Sequence, residues 1–304
     1  MRLHHLAVSL PLIFSLPVFA QWGGGTQQLN QGSTLSSNTS GNQGDYHVEY
    51  WKQNGNESGS MTLDEDGGFR CNWNYNENIL FRKGKRPGSR DLVVVYEADF
   101  KPQGNAYLSI YGWFQNPLVE YYIIESWGNY RPPGAAKKGG FETEEGKYDL
   151  YQTERTGPSI EGDNKTFKQY WSVRTARKTK GSVTVSDHFD GWQKVGFQIG
   201  SIYEVSFNVE AYKSDGGSAD VTMRIMTKSE YEEYLKTGVD KKSVFNKAGT
   251  VTVPMLNNHT PATFYNALGQ KITGMSGRMR LQGSHSVQLN TLNSASGAYY
   301  SIPD

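Results

Sequence analysis

Two glutamates stand in the middle of stretches with strand-like alternation: Glu120 in Val119-Glu120-Tyr121-Tyr122 and Glu210 in Asn208-Val209-Glu210-Ala211-Tyr212. A carboxylate flanked by core-type residues is costly to bury unless it is paired or functional. Two such groups can perform glycoside chemistry. One attacks as nucleophile; the other acts as general acid and then as base, with the carboxyl groups about 5–5.5 Å apart in enzymes that retain configuration. Structural Glu–Arg pairs look the same in one dimension, so the two glutamates alone leave both readings open.

Alternation assigns the faces. Glu120 shares a face with Tyr122, and Glu210 with Asn208 and Tyr212; Val119, Tyr121, Val209 and Ala211 take the opposite side. In the stretch 107–113, Tyr107, Ser109, Tyr111 and Trp113 form one face, and Leu108 and Ile110 the other. Gln169 lies with Trp171. Glu125 is an odd number of positions from Glu120, so it points away and is read as structural. Several strands thus present one aliphatic face and one of Tyr, Trp, Gln and Glu. Aromatic rings beside hydroxyl, amide and carboxyl groups suit sugars, whose C–H faces stack on rings while their hydroxyls seek polar partners. The competing reading makes the aromatics a second core layer.

The elements that must position these residues are short strands. Between about 45 and 226, stretches such as 92–99, 106–114, 118–125, 148–155, 167–174 and 204–213 are punctuated by Gly, Asn and Pro turns. This pattern predicts an all-β sandwich or barrel of antiparallel strands. Residues 187–195 break it with one short helix, for which Ser186 is a candidate N-cap.

The 304 residues carry 31 Lys+Arg against 30 Asp+Glu, so no basic stripe points to nucleic acid. The single cysteine, Cys71, excludes an intramolecular disulfide and is read as a buried thiol. His4, His5, His47, His188, His259 and His285 form no metal-ligand cluster outside the N-terminal segment, and most are read as surface or solitary polar residues. No metal or other cofactor is expected. Residues 1–20 read as a secretory signal: Arg2, an apolar run from Leu6 to Phe19, and a cleavage site at Val18-Phe19-Ala20. No other segment is apolar enough to span a bilayer, so an exported protein is expected, extracellular or held at the cell surface. The uncharged Gly/Gln/Asn/Ser stretch 21–44 reads as a flexible leader. Residues 227–250 form a charged linker, with a capping box at Ser229 and Glu232 opening one short helix. Residues 251–304 return to short β signals.

The order of motifs is familiar. Tyr107-Leu108-Ser109-Ile110-Tyr111-Gly112-Trp113 and Asn116-Pro117-Leu118-Val119-Glu120-Tyr121-Tyr122 resemble the nucleophile region of family 11 glycoside hydrolases, the endo-β-1,4-xylanases. Tyr130-Arg131-Pro132-Pro133-Gly134, Pro158-Ser159-Ile160-Glu161-Gly162, Phe167-Lys168-Gln169-Tyr170-Trp171 and Val209-Glu210-Ala211-Tyr212 follow in that family's order. The resemblance covers residues 44–226. It implies a β-jelly roll of two packed, curved sheets with a substrate cleft on the concave side. Glu120 would be the nucleophile and Glu210 the acid/base. Trp51, Asn78, Tyr111, Trp113, Tyr122, Arg155, Pro158, Ser159, Ile160, Gln169, Trp171 and Tyr212 would contact substrate, with Pro158–Gly162 as a thumb loop over the cleft. Asn78 corresponds to a position that is Asn in members working near neutral pH. Arg82-Lys83-Gly84-Lys85 replaces the family's usual Gly-Lys-Gly-Trp and is expected to alter the cleft rim away from the carboxylates. The thumb approach, 155–158, is one residue shorter than common.

The implied partner is xylan or its oligosaccharides, bound by a monomer. The tail 251–304 resembles a C-terminal sorting domain read by secretion machinery, with a small β module or a carbohydrate-binding module as alternatives. A non-catalytic carbohydrate-binding jelly roll remains the rival for the whole, and hydrolysis of another β-1,4-glucan shares the same chemistry.

Overall fold

The computed structural model describes residues 27–53, 58–236, 263–266 and 298–301. The signal-peptide segment lies outside these residues, as do 237–250 and most of the tail. Of the tail, Thr263–Asn266 pairs antiparallel with Ala298–Ser301. Among the described residues no helix is long and apolar enough to cross a membrane, and no three His, Cys, Asp or Glu side chains group to hold a metal.

The alternating stretches form the expected strands: β1 (Thr34–Leu35), β2 (Thr39–Gln43), β3 (Tyr46–Lys52), β4 (Gly59–Leu63), β5 (Phe69–Lys85), β6 (Leu92–Gln103), β7 (Ala106–Gln115), β8 (Val119–Trp127), β9 (Gly139–Thr143), β10 (Gly146–Ser159), β11 (Gly162–Arg174), β12 (Lys180–Thr184), β13 (Ser201–Ile202) and β14 (Val205–Thr227). They join in one hydrogen-bonded sheet that curls on itself. The curl is carried by β14. Its first part pairs with β7, its second part with β6, and β5 runs beside both. All pairings are antiparallel save β8 with β11, which is parallel, so the expectation of purely antiparallel sheets needs that amendment.

The face assignments carry over directly. Leu108, Ile110, Val119, Tyr121, Val209 and Ala211 enter the main core, together with Phe189 and Trp192 of a short helix, α1 (Val185–Lys194). Each buried Leu, Ile, Val or Phe side chain among them contributes roughly 1.5–3 kcal/mol. Tyr107, Tyr111, Trp113, Tyr122 and Trp171 form a second aromatic cluster on the other face. Gly112 is obligatory between the two. A Cβ there would sit 2.4 Å from the Tyr121 hydroxyl, which donates to the Glu204 carbonyl at 2.6 Å.

Several local expectations are corrected. The leader reading fails over 27–43: β1 and β2 are edge strands, anchored by buried Leu29 and Leu35 and by ladders to β4 and β3. Low apolar content did not prevent pairing, because neighbouring strands supply the hydrogen-bond partners. Helix α1 opens at Thr184 with no side-chain cap; the Ser186 hydroxyl contacts Asp187 instead. There is a second helix, α2 (Lys228–Lys236). Its capping box is Thr227 and Glu230, not Ser229 and Glu232: Thr227 N–H donates to the Glu230 carboxylate at 2.7 Å, and Glu230 N–H to the Thr227 hydroxyl at 3.2 Å.

His47 and His188 are buried rather than superficial. Burial, helped by the Arg174 charge, pushes the His188 imidazole down to about 3; its Nδ1 pairs with the Ser172 hydroxyl at 2.7 Å. Glu125 points away from Glu120, as expected, and is held in the fold by Tyr96, Tyr148 and Arg174. Cys71 is a buried thiol whose pKa burial drives up.

Candidate active site

The two glutamates reach one cleft from different strands. Glu120 on β8 lies in register with Trp113 of β7 and Gln169 of β11. Glu210 on β14 pairs with Tyr107 of β7 and Leu80 of β5. The curl of the sheet turns both carboxyls into a single pocket, lined also by Trp51, Asn78, Leu80, Trp113, Arg155 and Pro158. Leu80 had no signal of its own in the sequence; it floors the pocket because it alternates with Asn78 on β5.

The two carboxyls are served differently. Glu120 is buried yet well supplied with donors. Tyr111 donates to its Oε1 at 2.7 Å and Tyr122 at 3.2 Å, while Gln169 Nε2 donates to Oε2 at 2.6 Å. Donors of this kind favour the ionised form. Burial and the Glu120 charge hold the Tyr111 and Tyr122 phenols well above their ordinary range, so both remain donors.

Glu210 is also buried, and its Oε2 has no hydrogen-bond partner. Burial first, and the nearby Glu120 charge second, push its carboxyl up to about 7, against the opposing pull of Arg155, Tyr122 and Arg82. Two like carboxyls thus meet different surroundings, one supplied with three donors and the other buried with an unpartnered oxygen and held protonated toward neutrality.

A relay fixes the amide of Gln169. Trp171 Nε1 donates to the Thr153 hydroxyl at 2.8 Å, and that hydroxyl donates to Gln169 Oε1 at 2.9 Å, which leaves the NH₂ for Glu120. Thr153 escaped the sequence reading: an isolated threonine on a strand carries no signal until β10 and β11 are registered side by side. Trp171 stacks flat on Tyr122 at 4.2 Å, and Trp113 Nε1 donates to the Tyr111 hydroxyl at 2.7 Å. Both tryptophans are buried and brace the tyrosines.

Of the remaining sequence candidates, Trp51 is half-buried at the pocket, in register with Leu80. Pro158 lines it from the β10–β11 hairpin. Ile160, at the hairpin tip, packs against the aromatic cluster. Ser159 is fully buried and its hydroxyl is used within the turn, donating to the Gly162 carbonyl and accepting from Glu161 N–H, so it is not free for a sugar. Tyr212 stays exposed on β14, beyond Glu210.

The stretch 82–85 departs most from expectation. Arg82 and Lys83 are buried, not on the rim. Lys83 faces the opposite side, where it donates to Gln43 Oε1 at 2.8 Å and the Gly68 carbonyl at 3.1 Å; burial pushes it down to about 8. Arg82 lies on the concave side, with its guanidinium carbon 4.9 Å from the centre of the Tyr111 ring.

Comparison with known proteins agrees with this geometry. Residues 43–222 match the profile described as Glycosyl hydrolases family 11. An endo-1,4-beta-xylanase A of Bacillus pumilus is 46% identical over 200 residues, covering 63% of this chain and 86% of that protein. One from Thermoclostridium stercorarium is 44% identical over 213 residues, covering 67% of this chain and 31% of the relative. The chain spans only about a third of the length of several curated relatives that it matches. Among solved structures, the family 11 xylanase from Neocallimastix patriciarum superposes with a TM-score of 0.60 at 37% identity, over 64% of this chain and all of that one. A curled β-sheet with this carboxylate pair and a profile match across most of the described domain place the chain in glycosyl hydrolase family 11.

Proposed function

We propose that this chain is an endo-1,4-β-xylanase that retains configuration, with Glu120 as nucleophile and Glu210 as acid/base. The carrying observation is the contrast within one pocket: Glu120 accepts three hydrogen bonds, while Glu210 keeps an unpartnered oxygen and is pushed up to about 7. In the first step Glu120 attacks the anomeric carbon as the glycosidic C–O bond breaks, and Glu210 gives its proton to the departing oxygen. Forming the ester removes the Glu120 charge, which lowers the acidity barrier at Glu210. Glu210 then takes a proton from water as the water displaces Glu120, returning both groups to their starting forms.

A xylose unit lacks the hydroxymethyl group of glucose, which suits a pocket crowded by Trp51, Trp113 and Pro158. The expected result is reducing-sugar release from xylan and little or none from carboxymethylcellulose. Equal release from both would point to a general β-1,4-glucanase, and binding without release to the non-catalytic alternative. Export through residues 1–20 is part of the same proposal. Protein recovered from the culture medium of its host should begin at Gln21, and an intact Met1 there would refute it. The sorting reading of 251–304 remains a proposal resting on sequence resemblance alone.

A further inference from the structure

Arg82 is fully buried on the concave side of β5, in register with Glu49 of β3 and Asn208 of β14. Its guanidinium lies 2.7 Å from Glu49 Oε2 and 3.4 Å from Glu204 Oε1. Arg86 approaches the same two carboxylates at 3.1 and 2.7 Å, and His47 Nε2 stands 3.5 Å from Glu49. Two guanidinium charges therefore face two carboxylate charges in a dry place.

A cluster of this kind is weak evidence for stability, because apolar residues of similar volume often serve as well. This one is aimed at the reacting groups. Arg82 covers the ring of Tyr111, and Tyr111 donates to Glu120 at 2.7 Å. A cation on a phenol's π face draws electron density from the ring, and this strengthens the O–H as a donor.

We propose that Arg82 is a positioning residue for the reaction: seated on Tyr111, it fixes and polarises the hydroxyl that holds Glu120, and its charge, balanced by Glu49 and Glu204, sets the field on the carboxylate pair. The proposal rests on Glu120 and Glu210 being the reacting groups. On the cleft side the charged and titratable groups around this centre are Tyr111, Tyr122, Glu120, Glu210 and Arg155. On the far side they are Glu49, His47, Arg86, Glu204 and Tyr203, the last lying under Arg86. The positive charges that act on Glu210 are those of Arg155 and Arg82.

The test is kcat and KM on soluble xylan across pH for Arg82→Met, Arg82→Lys and Glu204→Gln, with near-UV circular dichroism to check folding. Arg82→Met leaves one uncompensated negative charge. Both limbs of the kcat profile should move up by about 0.5–1 pH unit, and kcat should fall roughly tenfold with little change in KM. Glu204→Gln leaves one uncompensated positive charge and should move both limbs down by a similar amount. Arg82→Lys keeps the charge and should return the limbs to their wild-type positions.

Unmoved limbs in folded Arg82→Met and Glu204→Gln, with Glu120→Gln inactive, overturn the proposal and leave the functional reading standing. An active Glu120→Gln overturns the functional reading itself. Should Arg82→Met not fold, the near-isosteric Glu204→Gln decides by sign, and an absent or upward shift refutes the role.

Discussion

Replacing Glu120 by Gln is expected to lower kcat on xylan by about 10⁴-fold or more while KM changes little. The amide cannot form the glycosyl ester, so the double displacement has no first step. It also introduces a mismatch: Gln169 already presents its NH₂ to Oε2, and Thr153 and Trp171 hold that amide in place. A second NH₂ at this position would oppose the first, and the variant side chain must present its oxygen to one set of donors only. None of this disturbs the β8 ladders, which are made by backbone, so xylo-oligosaccharides should still bind. Steady-state rates on xylan, with oligosaccharide binding by calorimetry, measure both parts. Activity within about tenfold of wild type would remove Glu120 from the nucleophile role.

Glu210→Gln should do something opposite to two properties at once: abolish xylan turnover and stabilise the fold at neutral and alkaline pH. The loss of general acid and base is worth about 10²–10⁴-fold for leaving groups that need a proton. An aryl xyloside with an acidic phenol needs none, so its release should be largely retained in a first burst. The stability effect follows from linkage. In the fold the Glu210 carboxyl titrates near 7, against an ordinary value of 4.5. The folded state therefore binds more protons than the unfolded state between those values, and wild-type stability falls as pH rises through that window. Gln does not titrate and escapes the fall. The variant's advantage should be absent near pH 4, grow from about 4.5 to 7, and level off above, reaching on the order of a few kcal/mol. Denaturant unfolding at several pH values reads it directly. A constant difference across pH would show that the fold does not raise this carboxyl.

Period-two alternation was enough to place Glu120, Glu210, Tyr111, Tyr122 and Gln169 on one face and Glu125 on the other, because it depends only on backbone geometry. It could not see partners brought in from distant strands. Arg82 reads in sequence as one of several basic residues near a rim; only the register of β3, β5 and β14 places Glu49 beside it, and Glu204 joins from the approach to β14. Thr153 was silent for the same reason. The segment 27–43 misled in the other direction. Its composition resembles a linker, but an edge strand needs few apolar anchors when a neighbour offers a ready ladder, and Leu29 and Leu35 suffice. The caps of both helices lie two residues before the positions that the sequence suggests, since each helix follows a strand whose last residue stands at the cap.

The path of β14 has a mechanical consequence. Over Ser206–Ala211, the span that carries Glu210, the strand is laced on one edge to β5 and on the other to β7. Shifting that carboxyl would require shearing two ladders together. The β10–β11 ribbon, which carries Arg155 and Pro158, ends in a turn spanning Ser159 to Gly162. The two sides of the cleft are therefore held unequally: Glu210 lies between two ladders, whereas Arg155 and Pro158 lie on a stretch of ribbon that pairs only with itself, since β11 meets β8 from Lys168 onward and β10 meets β9 only as far as Leu150. Adjustment of the cleft to a bound chain is expected in that ribbon, where one ladder gives way, rather than in the strand that carries Glu210, where two must.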